Sequence, residues 1–411
     1  MREAADRLGL DWQLPPLAVS FAPKPGVAPA IGLPIVEPSY GNLHGVPRRT
    51  CDLSGECDFG CNNGAKNTLD HTYLSAAKAY GADIRTLCEV RTLRARRGGG
   101  YAVGYVEHDP EREGRPTDQN ALPLRTITCD RLVLAAGAYG TTYLLLRNRR
   151  GLPGLSPALG TRFSGNGDLL TFLLPGEGGP RVFEASRGPV ITSAVRVGDA
   201  ADGAEGGADA RGFYVEDGGY PGFVDWIVDS SNAPRKLLRT TEFLARWLVT
   251  LLCGWPDNRL GYEMSRLIGE GKLTAGSLPL LGMGRDVPDG VMRLRGDLLD
   301  IEWTTETSVA FFERVRETMR AIAGELGARY VDNPMWFFRR IITVHPLGGA
   351  PIGRHPGEGV CDPYGEVFGL PGLYVADGAA MPGPVGTNPA LTIAAMADRA
   401  CSHMLEHEQT A

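Results

Sequence analysis

The segment GLYVADGAAMPGPVGTNPALTIAAMADRA, from Gly372 to Ala400, constrains the fold more than any other part of the chain. A short apolar run ends in small residues and an Asp-Gly pair. A loop heavy in Gly and Pro follows, and a helix starts at Asn388-Pro389. Asn is a strong cap and Pro is pre-shaped for the first helical position, so the helix start is sharply marked. Strand, punctuated loop and helix in that order describe one limb of an α/β fold. Loops this close to a terminus are usually free to vary, so the punctuation asks for a reason.

The 411 residues suffice for two domains and a large core. A net charge of -6 argues against a general nucleic-acid binder, which needs a basic surface. The 55 Gly and 30 Pro imply many tight turns, which suits an α/β enzyme better than a helical bundle. The opening MREAADRLGLDWQLPPLAVS carries acidic residues early and has no continuous apolar stretch, so it does not read as a signal peptide. The most apolar stretch, FLARWLVTLLCGW, contains Arg246 and is too short for a transmembrane segment. It reads as a buried helix or as an amphipathic cover over a substrate entrance. A cytoplasmic location is expected.

Residues 1–50 read as Pro-rich and irregular. NTLDHTYLSAAKAYGA reads as a helix capped by Thr68 or Asp70 and closed at Gly81. DIRTLCEVRTLRARRGGGYAVGYVEHD reads as β-runs around a Gly triplet, as in a hairpin. The stretch from about 164 to 300 alternates short β-like runs with loops, and GDAADGAEGGADARG reads as a low-complexity surface loop. TTETSVAFFERVRETMRAIAGELGA has the clearest helical spacing, with Thr304 or Thr305 as cap and Gly327 as stop. Three of the eight cysteines, Cys51, Cys57 and Cys61, cluster in CDLSGECDFGC. Their spacing lacks the paired C-x-x-C of metal sites, so free thiols or one local disulfide are expected there and no metal.

Three segments suit chemistry. DRLVLAAGAYGTTYLLL is a strand, a small-residue turn and a helix; Ala136 and Gly137 would let a ligand approach backbone N–H groups where the helix dipole favours anions. A plain strand-to-helix crossover explains the same pattern. TVHPLGGAPIG holds His345 in a stiff turn, as a positioned base requires, although a buried His satisfied by backbone fits too. Asn388 is a helix cap, and an amide at a helix mouth can also face a ligand.

Taken together, GCNNGAKNTLDHTYLSAA, ADIRTLCEVRTL, ITCDRLVLAAGAYGTTYLLLR, SGNGD, HPLGG and the C-terminal segment resemble the glucose–methanol–choline (GMC) flavoprotein oxidoreductases. Within them the chain is most similar to the cholesterol oxidase-like branch, from about Arg48 to Ala400. The resemblance implies an α/β, two-domain GMC-type flavoprotein fold with FAD as cofactor. It places a discontinuous FAD-binding domain at 66–163 and 365–411, and an antiparallel-sheet substrate domain at 1–65 and 164–364. His345 matches the active-site His that handles the substrate hydroxyl proton, and Asn388 the second active-site position. Glu216, in GFYVEDGGYPG, lines up with an acidic residue of the branch; a solvated surface Glu is the competing reading. Val90, Ala136, Gly137, Asp377, Gly378, Asn388 and Pro389 match cofactor-contacting positions. The helix at Asn388 would then offer its N-terminus to the electron-rich end of the flavin ring, which answers why the loop is so tightly punctuated. The implied activity is oxidation of an alcohol CH–OH group, with a bulky, sterol-like alcohol as substrate and O2 or another acceptor taking the electrons. One departure stands out: the chain has no G-x-G-x-x-G turn for the FAD pyrophosphate. That implies an N-terminally incomplete sequence that binds FAD poorly by itself. The alternative is a flavin-less remnant or a non-catalytic interaction subunit.

Overall fold

The computed structural model describes residues 1–112, 115, 118, 121–176, 183–199, 211–221 and 276–410, with the side chains of 407–410 left aside. The apolar stretch Phe243 to Trp255, Cys253 within it, and most of the low-complexity loop 198–212 lie outside the described residues.

Two short elements open the chain, α1 (Arg2–Leu8) and β1 (Asp11–Gln13), where the sequence suggests only irregular structure. Ala4 and Ala5 are fully buried and Gly9 closes the helix at φ 65°, so tertiary packing holds a turn too short to persist alone. Helix α2 (Tyr73–Ala79) begins at Thr72, not at Thr68 or Asp70. Both of those residues serve the turn before it: the Thr72 hydroxyl donates to the Thr68 carbonyl at 3.0 Å, and the Asp70 carbonyl accepts from the Ser75 hydroxyl.

Strands β2 (Cys88–Ala95), β3 (Tyr101–Glu107) and β4 (Arg125–Cys129) form an antiparallel sheet in that order. The Gly triplet makes the expected hairpin turn. Gly100 sits at φ 71°, and a Cβ there would lie 2.4 Å from the Cys129 carbonyl oxygen. Strand β5 (Leu132–Leu134) then leads through small residues into α3 (Gly137–Arg147).

Strand β6 (Leu169–Pro175) buries Leu169, Thr171 and Leu173 on one face, as period-two alternation requires. It joins β7 (Ala194–Val197), β8 (Phe213–Asp217) and β9 (Leu278–Gly284). A hairpin of β10 (Val291–Arg295) and β11 (Leu298–Glu302) precedes α4 (Val309–Glu325) and β12 (Ala328–Asp332). The large sheet is antiparallel throughout, in the order β1-β7-β8-β9-β6-β12. Helix α4 lays Phe311, Val315, Met319 and Ile322 onto it, a stripe at helical spacing. Its cap is Ser308, after a 3-10 turn over Glu306–Ser308 that begins at Thr305, and Gly327 follows its end at φ 63°.

Strand β13 (Leu373–Val375) pairs in parallel with β5, Leu373 opposite Leu132 and Val375 opposite Leu134. The runs RLVLAAGA and GLYVADG therefore share one sheet across some 240 positions. Helix α5 (Ala390–Thr410) closes the chain. Two apolar cores result. One is built from α1, α4 and the large sheet; the other joins Leu93, Tyr101, Leu134, Leu145, Val367 and Leu373 around the parallel pair. No helix among the described residues is long and apolar enough to cross a membrane.

Candidate active site

The segment Ser164-Gly165-Asn166-Gly167-Asp168 enters β6 in full burial at Ser164, Asn166 and Asp168. Asn166 adopts φ 56°, a left-handed conformation that Asn tolerates better than other residues with a Cβ. That conformation aims its amide at the loop before α5. Oδ1 accepts from the Val385 and Gly386 N–H groups at 2.9 Å each, and Nδ2 donates to the Thr387 carbonyl at 3.0 Å. Asn166 thus holds the loop that ends in Asn388.

Two residues on, Asp168 performs the same task for His345. Its Oδ2 accepts from Val344 N–H at 2.8 Å, His345 N–H at 3.2 Å and the Thr343 hydroxyl at 2.9 Å. Its Oδ1 accepts from His345 Nδ1 at 2.9 Å. With the carboxylate as acceptor, the neutral ring carries its hydrogen on Nδ1, which leaves the lone pair on Nε2. The HPLGG turn is pinned from its far side. Leu347 and Ser164 exchange backbone hydrogen bonds at 3.0 and 3.1 Å, and a Cβ on Gly348 (φ 84°) would fall 2.0 Å from the Arg162 carbonyl oxygen.

Glu216 lies on β8 with only 2% of its surface exposed, which removes the solvated-surface reading. The Asn388 Nδ2 donates to its Oε2 at 3.3 Å. Burial pushes the Glu216 carboxyl up to about 7, against the opposing pull of the Asn388 amide and His345. Asn388 thus turns its NH2 group to Glu216; α5 begins two residues later, with Pro389 contributing the first accepting carbonyl to Ile393 N–H at 2.9 Å. A further buried carboxyl, Asp286, accepts from the Ser164 hydroxyl and from Gly165 N–H at 3.0 Å, and burial raises it to about 6.

The small-residue turn forms a second group. Asp377 accepts from Gly137 N–H at 2.9 Å, from the Thr141 hydroxyl and from Ala379 N–H at 2.8 Å. Gly378 reaches the His345 turn, its carbonyl accepting from Gly348 N–H at 2.9 Å. Ala136, Gly137, Asp377 and Gly378 are thus brought together, and the chain links them to His345 and Asn388. Val90 stands apart, at a bulge in β2, outside this hydrogen-bonded set. Ala135, Ala136 and Gly137 are exposed, as is 45% of Val133, although parallel strands usually have both faces covered. The first N–H of α3, that of Gly137, is taken by the Asp377 carboxylate. An open apolar strand end is a surface for a flat ligand.

The sequence reading assigned no role to Asn166, Asp168, Thr141 or Asp286. The first three lie in segments that carry the family resemblance, SGNGD and the strand-to-helix run, and only Asp286 had no signal.

Two family profiles match the chain, both described as GMC oxidoreductase, over residues 45–163 and 284–397. A cholesterol oxidase from Mycobacterium tuberculosis is 30% identical over 98% of this chain and 67% of its own length. A long-chain-alcohol oxidase from Arabidopsis thaliana is 24% identical over 86% of this chain and 47% of its own. Among solved structures, a pyridoxine 4-oxidase from Mesorbium loti superposes with a TM-score of 0.51 at 19% identity, covering 84% of this chain and 61% of that one, a likeness of fold. The chain therefore spans about two thirds or less of the proteins it resembles.

Proposed function

Because the chain belongs to the GMC oxidoreductase family, we propose that it oxidises an alcohol CH–OH group with FAD as cofactor, and that His345, Asn388 and Glu216 carry the proton chemistry. The observation that carries this reading is the buried Asp168 fixing the His345 ring with Nε2 free.

The residues fit the ring and sugar sides of such a cofactor. The exposed strand end at Ala136 and Gly137 offers a flat surface, and a Cβ on Gly137 would meet nothing within 4 Å. Asp377, Gly378 and the loop to Asn388 and Pro389 would hold the rest. The 411 residues contain no G-x-G-x-x-G turn, so this fit leaves the pyrophosphate out. When bound, FAD supplies the acceptor for the hydride leaving the substrate carbon.

His345 Nε2 accepts the hydroxyl proton of the substrate as the C–O bond gains double-bond character. The Asp168 carboxylate stabilises the imidazolium that forms, through the same Nδ1–H bond that sets the ring's orientation. Glu216 changes charge near neutrality beside His345, which suits it to pass that proton on. Asn388 bridges Glu216 to the helix mouth. The substrate class best supported is a bulky apolar alcohol, on the strength of the cholesterol oxidase and long-chain-alcohol oxidase relatives.

The test is anaerobic flavin reduction in a flavin-replete preparation, with cholesterol, a long-chain primary alcohol and ethanol as donors. The first two should bleach the flavin, and His345→Ala should abolish bleaching with flavin content unchanged. No bleaching by any alcohol, or an unimpaired His345→Ala, would overturn the proposal. Reoxidation by O2 or by a dye then identifies the acceptor.

A further inference from the structure

We propose that His44, Asp70 and His71 form a site for one divalent transition-metal ion of the zinc type, independent of the His345 group and of the alcohol oxidation assigned above. One ligand atom from each of the three lies within 4.8 Å of the other two. His44 Nε2 stands 2.6 Å from Asp70 Oδ2, and His71 Nε2 stands 4.0 Å from the same oxygen. Ligand atoms around a tetrahedral zinc lie about 3.3 Å apart, given bond lengths of about 2.0–2.1 Å. The two observed separations straddle that value, so small side-chain shifts bring all three donors to bonding distance.

The donors come from two segments with no regular structure between them. His44 sits in the Pro-rich N-terminal region, its N–H donating to the Asn42 side chain at 3.0 Å. Asp70 and His71 lie in the turn before α2. The two imidazoles meet edge to face with centroids 5.0 Å apart. His71 is inward-facing, with only 14% of its side chain exposed. All three residues line a cleft of about 560 Å³, so a fourth position stays open to water. Cys57, Asp58 and Cys61 line the same cleft and are not among the three donors. Two imidazoles and one carboxylate suit zinc, cobalt and nickel; calcium and magnesium prefer all-oxygen sets. Such an ion would tie the N-terminal region to the start of α2, a link that elsewhere in small loop-rich regions is made by a disulfide.

The purified protein, stripped with a chelator, should be titrated with zinc chloride by calorimetry and with cobalt chloride by absorbance. One saturable equivalent per chain is expected, together with a rise in melting temperature that follows zinc concentration. His44→Ala and His71→Ala should each weaken binding by more than the roughly 100-fold that loss of an outer partner costs. The Cys57→Ser, Cys61→Ser double variant should bind as the wild type does. Should the His variants not fold, cobalt in the wild type decides: imidazole and carboxylate give weak visible bands alone, and a strong near-ultraviolet sulfur band would place the ion on the thiols. Absence of saturable binding, or binding that survives loss of the histidines and disappears with the cysteines, overturns the assignment.

Discussion

Replacing Asp168 by Asn isolates the role of one hydrogen bond. The carboxylate faces three donors on Oδ2 and the His345 ring on Oδ1. An Asn side chain has one acceptor oxygen and one NH2 group. If its NH2 turned toward Val344 and His345, two buried N–H groups would lose their acceptor, at about 1–3 kcal/mol each. The oxygen must therefore stay on that side, and the NH2 must meet His345 Nδ1. That nitrogen then becomes the acceptor, and the ring hydrogen moves to Nε2. The base has lost its lone pair at the position where it is needed. General-base catalysis contributes roughly 10²–10⁴-fold, so alcohol-driven flavin reduction should slow by that factor, about 3–5 kcal/mol of barrier. Substrate affinity and flavin content should hold, and the fold should lose only about 1–2 kcal/mol for the exchange of a charged acceptor for a neutral one. Stopped-flow reduction measures the rate, and nitrogen-15 NMR of the ring reads which nitrogen carries the hydrogen. A rate within tenfold of wild type, or a ring still protonated on Nδ1, would refute the reasoning.

Glu216 should make stability fall as pH rises. Its folded pKa, raised from 4.5 to about 7, means that the folded state holds the proton more tightly across that window. Stability is therefore full at the acid side and lost by pH 7 and above, on the order of 3 kcal/mol. Glu216→Gln should melt with the wild type at pH 5 and above it at pH 8; equal shifts at both pH values would count against burial as the cause. Asn166→Ala removes three hydrogen bonds and leaves a Cβ residue at φ 56°, a loss of about 2–4 kcal/mol, with faster hydrogen exchange at Val385 and Gly386 as its local signature. Gly348→Ala should destabilise by more than about 2 kcal/mol in urea titrations, because its Cβ meets a backbone carbonyl that cannot move aside.

The elements readable from the sequence are those whose cause is local. Gly99 and Gly100 take positive φ, which glycine adopts at no steric cost, so the turn between the two β-runs follows from the residues themselves. The apolar spacing of Phe311, Val315, Met319 and Ile322 requires a helix with one buried face. The strand, Asp-Gly turn and helix near the C-terminus follow from small residues, Gly and Pro in order. Cap positions were less legible. Thr68, Asp70 and Asn388 all look like caps by residue type, yet their polar groups serve the preceding turn, His44 or Glu216 instead. A short-range rule names what a side chain can do, and tertiary packing decides which partner it meets. The clearest case is Asn166 and Asp168. Their identities state only that each offers hydrogen-bonding atoms, while the folded chain brings Val385 to one and His345, 177 positions away, to the other. Burial then makes those atoms indispensable, because no water remains there to replace a missing partner. The same burial separates Glu216 from an ordinary surface carboxylate, and only the tertiary structure supplies it: β8 and its neighbours enclose a side chain that the sequence leaves equally open to a solvated surface position.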